Sequence, residues 1–387
     1  MTAPKGPLEG VIVLDLTRAV SGPYCTMMLN NLGATIIKIE KPGSGDDTRG
    51  LGPFHEGIST YNAVFNHDKK CIGLDMKAPE DRKIFEGLLK RSDVLVENFR
   101  PGVMERLGYG WEKLHEQYPK LIYAAISGYG LNGPISQHAC YDLVAQGLCG
   151  IMSLTGHSHD NPTKVGTEIA DVLSGIFGAF AVNTALYHRE RTGEGSLVDI
   201  AMLDCMLSLL YSAVDRYTAT KEIPRAIGNR HPTAVPFDTF MASDRPLNVA
   251  VANDKIFQKL CEVIEMPELA TDTRFNSIPA RTQNRIPLTE ILSEVLKKKT
   301  AKEWVDRCIA KGVPAGRIFD LHETLNFPQL IARNMVAEFE EGFLPGVKFP
   351  GNPIKMSCLE ERHVYKKAPA IDENREEILH FMETGTW

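Results

Sequence analysis

The sequence lacks the cysteine spacing of zinc-binding proteins and the excess of positive charge that is typical of nucleic-acid-binding proteins. None of its eight cysteines forms a C-x-x-C pair or stands with histidine at zinc-ligand spacing, so the sequence predicts no metal site. Its 43 basic and 49 acidic side chains give a net charge of -6, which disfavours general nucleic-acid binding because such a surface is positive. Sparse cysteines in apolar segments are typical of buried thiols in a reducing compartment, so we expect a cytoplasmic protein.

Long apolar runs are also missing. We expect no secretory signal in residues 1–7, because they contain no apolar core. The longest strongly apolar stretch, 172–187, has sixteen residues that include glycine, serine and asparagine, and we expect it to be too short and too polar to cross a bilayer. With 387 residues, of which 43% are hydrophobic, the chain is long enough for two globular domains.

Strand-like apolar segments alternate with helical segments through the first half of the chain. The segments 10–16 and 35–40 are predicted strands on either side of a helix over 23–32. Further strands are predicted at 71–75, 93–97 and 121–126. Because parallel strands need crossover helices, this order predicts an α/β domain whose parallel sheet is covered on both faces. Ligands of such sheets bind beyond the carboxyl ends of the strands.

The pattern changes in the second half of the chain. A long helix is predicted over 171–188 and a strand over 196–202. Residues 216–236 contain prolines and glycines that interrupt any regular element, so we place a domain boundary there. A more helical segment follows, in which Thr300 and Glu303 have the spacing of a capping box.

One glycine motif stands directly after a predicted strand. Gly128, Gly130 and Gly133 match G-x-G-x-x-G, the pattern that binds dinucleotides at a helix N-terminus. Pro134 and a polar stretch follow the motif, and no predicted strand offers a ribose-binding acid about twenty residues later. We therefore interpret the segment as a glycine loop over a pocket, with a role as a lid left open.

Asp171 is the most informative ionisable residue, because the next sixteen residues of its predicted helix carry no acid or base. An acid in the first turn meets the positive end of the helix dipole, so we expect this carboxylate to be ionised and to point out of the helix. Such a group suits covalent acyl transfer. An ordinary acid at a helix N-terminus would give the same pattern, and both interpretations stay open.

Basic residues recur near the predicted ends of the strands. They suit either the phosphates of a nucleotide-like ligand or a solvated face of the domain. These residues are Lys38, Lys41, Lys69, Lys70, Lys77 and Arg106.

Taken together, several short motifs resemble those of family III CoA-transferases. They stand in the order of the family through most of the chain. The matching segments are 8–16 with 21–23, 32–42, 45–46, 96–102 with 106–108, 141–146, 165–166 with 170–171, 191–195, 228–232 and 312–314.

The resemblance implies a nucleophilic role for Asp171, which would carry the acyl group and then CoA without a metal or redox cofactor. Coenzyme A would enter as an acyl-CoA substrate. The family pattern places the CoA nucleotide against Lys41, Leu74, Lys77, Asn98, Phe99 and Arg106. It places Val20, Gly128, Gly130, Ala139 and Tyr141 at the substrate and active-site loops.

The resemblance also implies how the chain is organised. A Rossmann-like large domain would comprise 1–215 and 325–387, and a smaller α+β domain would comprise 225–320. Linkers over 216–224 and 318–330 would encircle a second copy, so that two ring-like chains form an interlocked homodimer.

Two departures from the family affect the expected substrate. Val20 and Ala139 stand where formyl-CoA:oxalate transferases carry glutamine and lysine, and segments 228–232 and 350–355 look closer to the acetyl-CoA:oxalate branch. We therefore expect a small dicarboxylate such as oxalate as the acceptor.

Three rival functions are weighed against CoA transfer. An α-methylacyl-CoA racemase is the nearest, but Tyr141 stands where its histidine is expected. A non-catalytic acyl-CoA-binding protein is the second. An NAD oxidoreductase is the third, and it depends on the single glycine motif at 128–133.

Overall fold

The computed structural model describes residues 6–387, which form two compact units. The larger unit extends to Met152 and includes Lys164–Glu222 and Pro328–Trp387. The smaller unit consists of Ser153–Thr163 and Ile223–Phe327. Residues 153–163 thus belong to the smaller unit, whereas we predicted them in the large domain.

Six parallel strands form the main sheet of the larger unit. In spatial order they are Lys70–Gly73, Thr35–Glu40, Ile12–Asp15, Val94–Glu97, Ile122–Ser127 and Leu197–Ala201. The predicted α/β fold with a parallel sheet is confirmed. The predicted strand positions are correct to within three residues at either end, because fully buried parallel strands give continuous apolar runs in the sequence.

Alternate residues of the strands face two separate cores. Leu14 and Ile37 pack in one core, and their neighbours Val13 and Ile36 pack in the other. Helices pack against both faces of the sheet. The helices of the larger unit are Ser21–Asn31, Thr60–Asn66, Pro79–Leu89, Val103–Leu107, Trp111–Gln117, Asp142–Cys149, Ile169–Thr192, Met202–Ser208, Tyr211–Thr220, Pro328–Ala332 and Arg375–Thr384. The short helix Ile151–Leu154 lies where the chain passes between the units.

The order of the strands reverses between Ile12–Asp15 and Val94–Glu97. The chain first adds strands on one side of Ile12–Asp15 and then continues on the other side from Val94–Glu97. At such a reversal the loops that leave the two neighbouring strands diverge, which opens a crevice outside their carboxyl ends. The fold therefore determines where a ligand site can form.

The helix Ile169–Thr192 has 24 residues and is longer than we predicted. By length and composition alone it could cross a membrane, which corrects the expectation drawn from residues 172–187. One side packs closely on Ser21–Asn31, since a Cβ at Gly175 would lie 2.8 Å from the Ser21 carbonyl oxygen. On the other side of the helix, Phe180 is 70% exposed.

Three smaller sheets complete the fold. In the larger unit, Val336–Phe339 lies between Lys348–Pro350 and Val364–Tyr365, and Phe54–His55 pairs with Ile58–Ser59. In the smaller unit, Phe237–Met241, Pro246–Ala250 and Ala315–Arg317 form an antiparallel sheet. The helices of the smaller unit are Asp254–Val263, Ile278–Gln283, Arg285–Leu296, Ala301–Lys311 and Leu321–Leu325. Single 3-10 turns occur at Asp47–Gly50 and Pro267–Ala270.

Two sequence-based expectations concern the boundary between the units and the smaller unit itself. The capping box of Thr300 and Glu303 is confirmed at the start of Ala301–Lys311. We predicted no regular element over residues 216–236. This is wrong for residues 216–220, which belong to the helix Tyr211–Thr220. The first proline of that segment, Pro224, comes only after this helix has ended.

Candidate active site

A cleft of about 550 Å³ lies in the larger unit at the carboxyl ends of its strands. Arg18 follows the strand Ile12–Asp15, Asn98 follows Val94–Glu97, and Gly128 follows Ile122–Ser127; all three line the cleft. Asp171 lines it from the first turn of Ile169–Thr192. The cleft thus occupies the crevice that the reversal of strand order creates.

The structure brings together most of the site residues that the sequence predicted. Those that line the cleft are Asn98, Phe99, Arg106, Gly128, Ala139, Tyr141 and Asp171. The other five do not line it. Lys41 and Lys77 are exposed elsewhere on the unit, and Leu74, Val20 and Gly130 are buried.

Two of the basic residues that the sequence grouped near the strand ends are unavailable to a ligand. Lys69 Nζ lies 3.0 Å from Asp15 Oδ2, and Lys38 Nζ lies 3.1 Å from Asp46 Oδ2. Both ammonium groups are fully buried. A phosphate-binding role for these two lysines is therefore wrong, because their charges are already paired inside the protein.

These buried pairs support the loop that enters the cleft after Ile12–Asp15. Lys38 donates to the carbonyl oxygen of Thr17 at 2.8 Å, and Asp46 accepts the amide of Ala19 at 3.1 Å. Ala19 has a φ of +63°, a conformation that costs free energy for a residue with a Cβ and persists only when its surroundings hold it. The sequence did not indicate these contacts, which join residues that are 21 and 27 positions apart.

The carboxylate of Asp171 has no hydrogen-bond or ion-pair partner among residues 6–387 and borders the cleft. Burial raises the pKa of Asp171 to about 7, and the negative charges of Asp142 and Glu168 add to this effect. Contrary to our expectation, the helix dipole therefore does not keep the group fully ionised at neutral pH. A dipole contributes about 0.3–1 kcal/mol, which is less than the cost of burying a carboxylate beside other acids.

The glycine segment is attached to the sheet at two points. The amide of Gly130 donates to Ser127 Oγ at 2.9 Å, and the amide of Leu131 donates to Asp199 Oδ2 at 3.1 Å. The next helix begins only at Asp142. The motif therefore does not open a helix, which the dinucleotide-binding pattern requires.

One cysteine and one histidine line the cleft. Six of the eight cysteines are buried, Cys358 is exposed, and Cys140 is partly buried at the cleft wall. Over residues 6–387 there is no group of three or more His, Cys, Asp or Glu side chains with a geometry that could hold a metal ion. His138 also lines the cleft, although the sequence did not single it out.

The chain is similar to known proteins over almost its whole length. The sequence model of CoA-transferase family III matches residues 8–375. Acetyl-CoA:oxalate CoA-transferase of Acetobacter aceti is 44% identical over 371 residues, which are 96% of this chain and 94% of that protein. Human succinyl-CoA:glutarate CoA-transferase is 35% identical over 352 residues, which are 91% of this chain and 80% of that protein.

A solved structure extends the likeness to the fold. A CAIB/BAIF family protein from Brucella suis superposes with a TM-score of 0.85 at 35% identity, covering 98% of this chain and 100% of that chain. The match therefore includes both units. This chain belongs to CoA-transferase family III, whose members transfer coenzyme A to carboxylic acids.

Proposed function

We propose that this enzyme transfers CoA from an acyl-CoA donor to a small dicarboxylic acid, with oxalate as the first candidate, and that Asp171 is its nucleophile. The observation that carries the proposal is the Asp171 carboxylate, which borders the cleft and has no partner within residues 6–387. A carboxylate that has no ion-pair or hydrogen-bond partner in the protein is available to attack an acyl group.

The chemistry proceeds through covalent intermediates on Asp171. A carboxylate oxygen of Asp171 attacks the thioester carbonyl carbon and the C–S bond breaks. CoA leaves as a thiolate, and the acyl group remains on Asp171 as a mixed anhydride. The thiolate then attacks Cγ of Asp171, which releases the donor acid as a carboxylate and forms an aspartyl-CoA thioester. The acceptor carboxylate then attacks Cγ of the aspartyl-CoA thioester and releases the CoA thiolate. The thiolate attacks the acyl carbon of the acceptor in the new anhydride, which forms the acceptor's CoA ester and regenerates the Asp171 carboxylate with no net change of protons.

Burial of Asp171 favours this route. The free carboxylate is charged, whereas the anhydride and the thioester are neutral at Cγ. An environment that raises the pKa of Asp171 to about 7 disfavours the charged form. The neutral adducts are therefore more stable, relative to the resting enzyme, than they would be at an exposed carboxylate. Because this pKa is about 7, part of the enzyme still carries the reactive carboxylate at neutral pH.

The cleft offers cations for the two anionic ends of the substrates. Arg18, Arg100 and Arg106 line it, and guanidinium groups bind phosphate or carboxylate oxygens through paired hydrogen bonds. The small side chain of Ala139 leaves space in the same cleft. The relatives named for oxalate and glutarate support a dicarboxylate as the acceptor.

We also propose that the enzyme is a homodimer. Three helices that pack on one another leave large apolar side chains exposed, namely Leu148 of Asp142–Cys149, Phe180 and Tyr187 of Ile169–Thr192, and Leu207 of Met202–Ser208. Monomers rarely expose so many large apolar groups on adjoining elements. Sedimentation of the full chain tests this, and a monomer at micromolar concentration would contradict it.

An α-methylacyl-CoA racemase is a second candidate because of one observation. His138 and Asp171 line the same cleft, and a histidine beside an aspartate is the pair that racemisation uses. Tyr141 occupies the position of the histidine in those enzymes, so the transferase is the better-supported function.

A mass-spectrometric screen of acyl-CoA donors against carboxylic acids tests the function. We expect CoA exchange with a dicarboxylate and a hydroxylamine-sensitive adduct on the peptide that contains Asp171. Asp171→Asn removes both, while Glu168→Gln, a change at the same helix end, retains them. An adduct on another peptide would reject Asp171 as the nucleophile. Epimerisation of an α-methylacyl-CoA without any exchange would establish the racemase.

A further inference from the structure

A second carboxylate, that of Asp142, holds the start of the helix that carries Asp171. Asp142 is buried, and its Oδ1 accepts the backbone amide of Ala170 at 2.8 Å. The first amides of a helix have no partner within the helix, and Glu168 at the N-cap position makes no side-chain cap. Asp142 therefore supplies from another helix the cap that Ile169–Thr192 does not provide for itself.

The same carboxylate is linked to the segment that leads into this helix. Its Oδ2 accepts Gln146 Nε2 at 2.7 Å, and Gln146 Oε1 accepts the amide of Val165 at 2.9 Å. Gln146 is completely buried. These bonds connect Asp142–Cys149 with residues 165–170 at two points, so the position of the Asp171 backbone depends on both side chains.

The charged groups that act on Asp171 within the protein are the acids Asp142 and Glu168. The ionisable groups that interact with it are Asp142, Glu168, Tyr61 and Cys140. None of these is a cation, and neither Asp142 nor Asp171 has an ion-pair partner in the part of the chain that the structure describes. Two carboxylates thus share one end of a helix without a compensating charge.

We propose that Asp142 is a positioning residue for CoA transfer, which fixes the first turn of the Asp171 helix through Ala170 and places a second negative charge behind the nucleophile. The proposal rests on the proposed role of Asp171. Acylation of Asp171 removes one of the two like charges, so the covalent intermediates are favoured over the resting pair of carboxylates. Asp142 itself forms no bond to substrate.

Two variants separate the hydrogen bond from the charge. Asp142→Asn keeps an acceptor for Ala170 but removes the charge and the acceptor of Gln146 Nε2. Gln146→Ala removes the same bond to Asp142, together with the connection to Val165, but keeps the charge. The pH profile of kcat/KM for CoA exchange reports the ionisation of Asp171 in the free enzyme.

The acid limb is the part of this profile in which kcat/KM falls as the pH is lowered. In Asp142→Asn we expect its midpoint to lie about one pH unit lower than in the wild type. We also expect kcat at pH 8 to fall about tenfold, with KM for acyl-CoA little changed. Gln146→Ala lowers kcat without moving the acid limb. Asp142→Glu, which restores the charge, returns the limb towards that of the wild type. An unmoved limb in Asp142→Asn, or an equal shift in Gln146→Ala, would overturn the proposal.

A stability measurement tests the same coupling without activity. The melting temperature is measured as a function of pH for four proteins: the wild type, Asp171→Asn, Asp142→Asn and the double variant. Asp171→Asn is expected to raise the melting temperature at alkaline pH, and this increase declines as the pH falls. In the Asp142→Asn background the midpoint of that decline is expected about one pH unit lower than in the wild-type background. Equal midpoints would refute the coupling. A clear shift together with no CoA exchange in the wild-type enzyme would retain the coupling and reject the proposed function.

Discussion

Asp171→Asn is expected to abolish CoA transfer and at the same time to stabilise the folded protein at alkaline pH. The wild-type carboxyl has a pKa of 3.8 when unperturbed and about 7 in the folded chain, so the folded state binds its proton more tightly than the unfolded state does. Ionised Asp171 therefore destabilises the fold. This cost is fully present above pH 7, declines as the pH falls through 7, and vanishes below about 4.

The size of the effect follows from the shift in pKa. A rise from 3.8 to about 7 corresponds to an upper bound of about 4 kcal/mol at roughly 1.4 kcal/mol per unit. The carboxylate borders an open cleft, so solvent reduces the cost, and we expect about 2–4 kcal/mol at pH 8. Asparagine has nearly the same shape and no charge, so the variant does not carry this cost.

Thermal unfolding of both proteins at intervals between pH 5 and 9 measures this difference. The melting temperature of Asp171→Asn should exceed that of the wild type by several degrees at pH 8, and the two should converge towards pH 5. Glu190→Gln is the matched control, because its side chain lies on the same helix but is 76% exposed. Equal stability of wild type and Asp171→Asn at pH 8, or a difference that does not vary with pH, would refute the reasoning.

Two further variants test the support of the cleft and its binding surface. Lys69→Met removes the ion-pair partner of the buried Asp15 carboxylate, so we expect the free energy of unfolding to fall by about 3–5 kcal/mol in denaturant titrations. Lys83→Met, which breaks an exposed pair with Glu80, should change it by less than about 1 kcal/mol. Arg106→Ala should raise KM for acyl-CoA about tenfold with little change in kcat, because it removes a cation that lines the cleft and can bind phosphates. Lys83→Ala, a change at an exposed position, should leave steady-state kinetics unchanged. An unaltered KM in Arg106→Ala would show that this residue does not bind acyl-CoA.

Much of the larger unit could be predicted from local sequence. The strand Thr35–Glu40 was predicted with its observed bounds, because a buried parallel strand is a short apolar run between turn residues. Asp171 was recognisable for a similar reason, since the side of its helix that packs on Ser21–Asn31 requires small uncharged residues such as Gly175. In both cases the signal arises from neighbours along the chain.

Other features depended on groups that are distant in sequence. Lys38 and Lys41 are close along the chain and have similar side chains, yet Lys38 is buried against Asp46 and Lys41 is exposed. The local pattern places Lys38 inside the strand and Lys41 after its end. It does not indicate that Asp46 pairs with Lys38 inside the protein, because that contact depends on the fold.

The sequence by itself determined the alternation of strands and helices and the presence of an acid at the start of a long uncharged helix. Only the tertiary structure decided how that acid behaves. Asp142 lies 29 positions before Asp171, and the fold places both at one helix end, where burial and like charge outweigh the helix dipole. Local patterns depend on covalent neighbours, whereas ionisation depends on distances through space, which the fold sets.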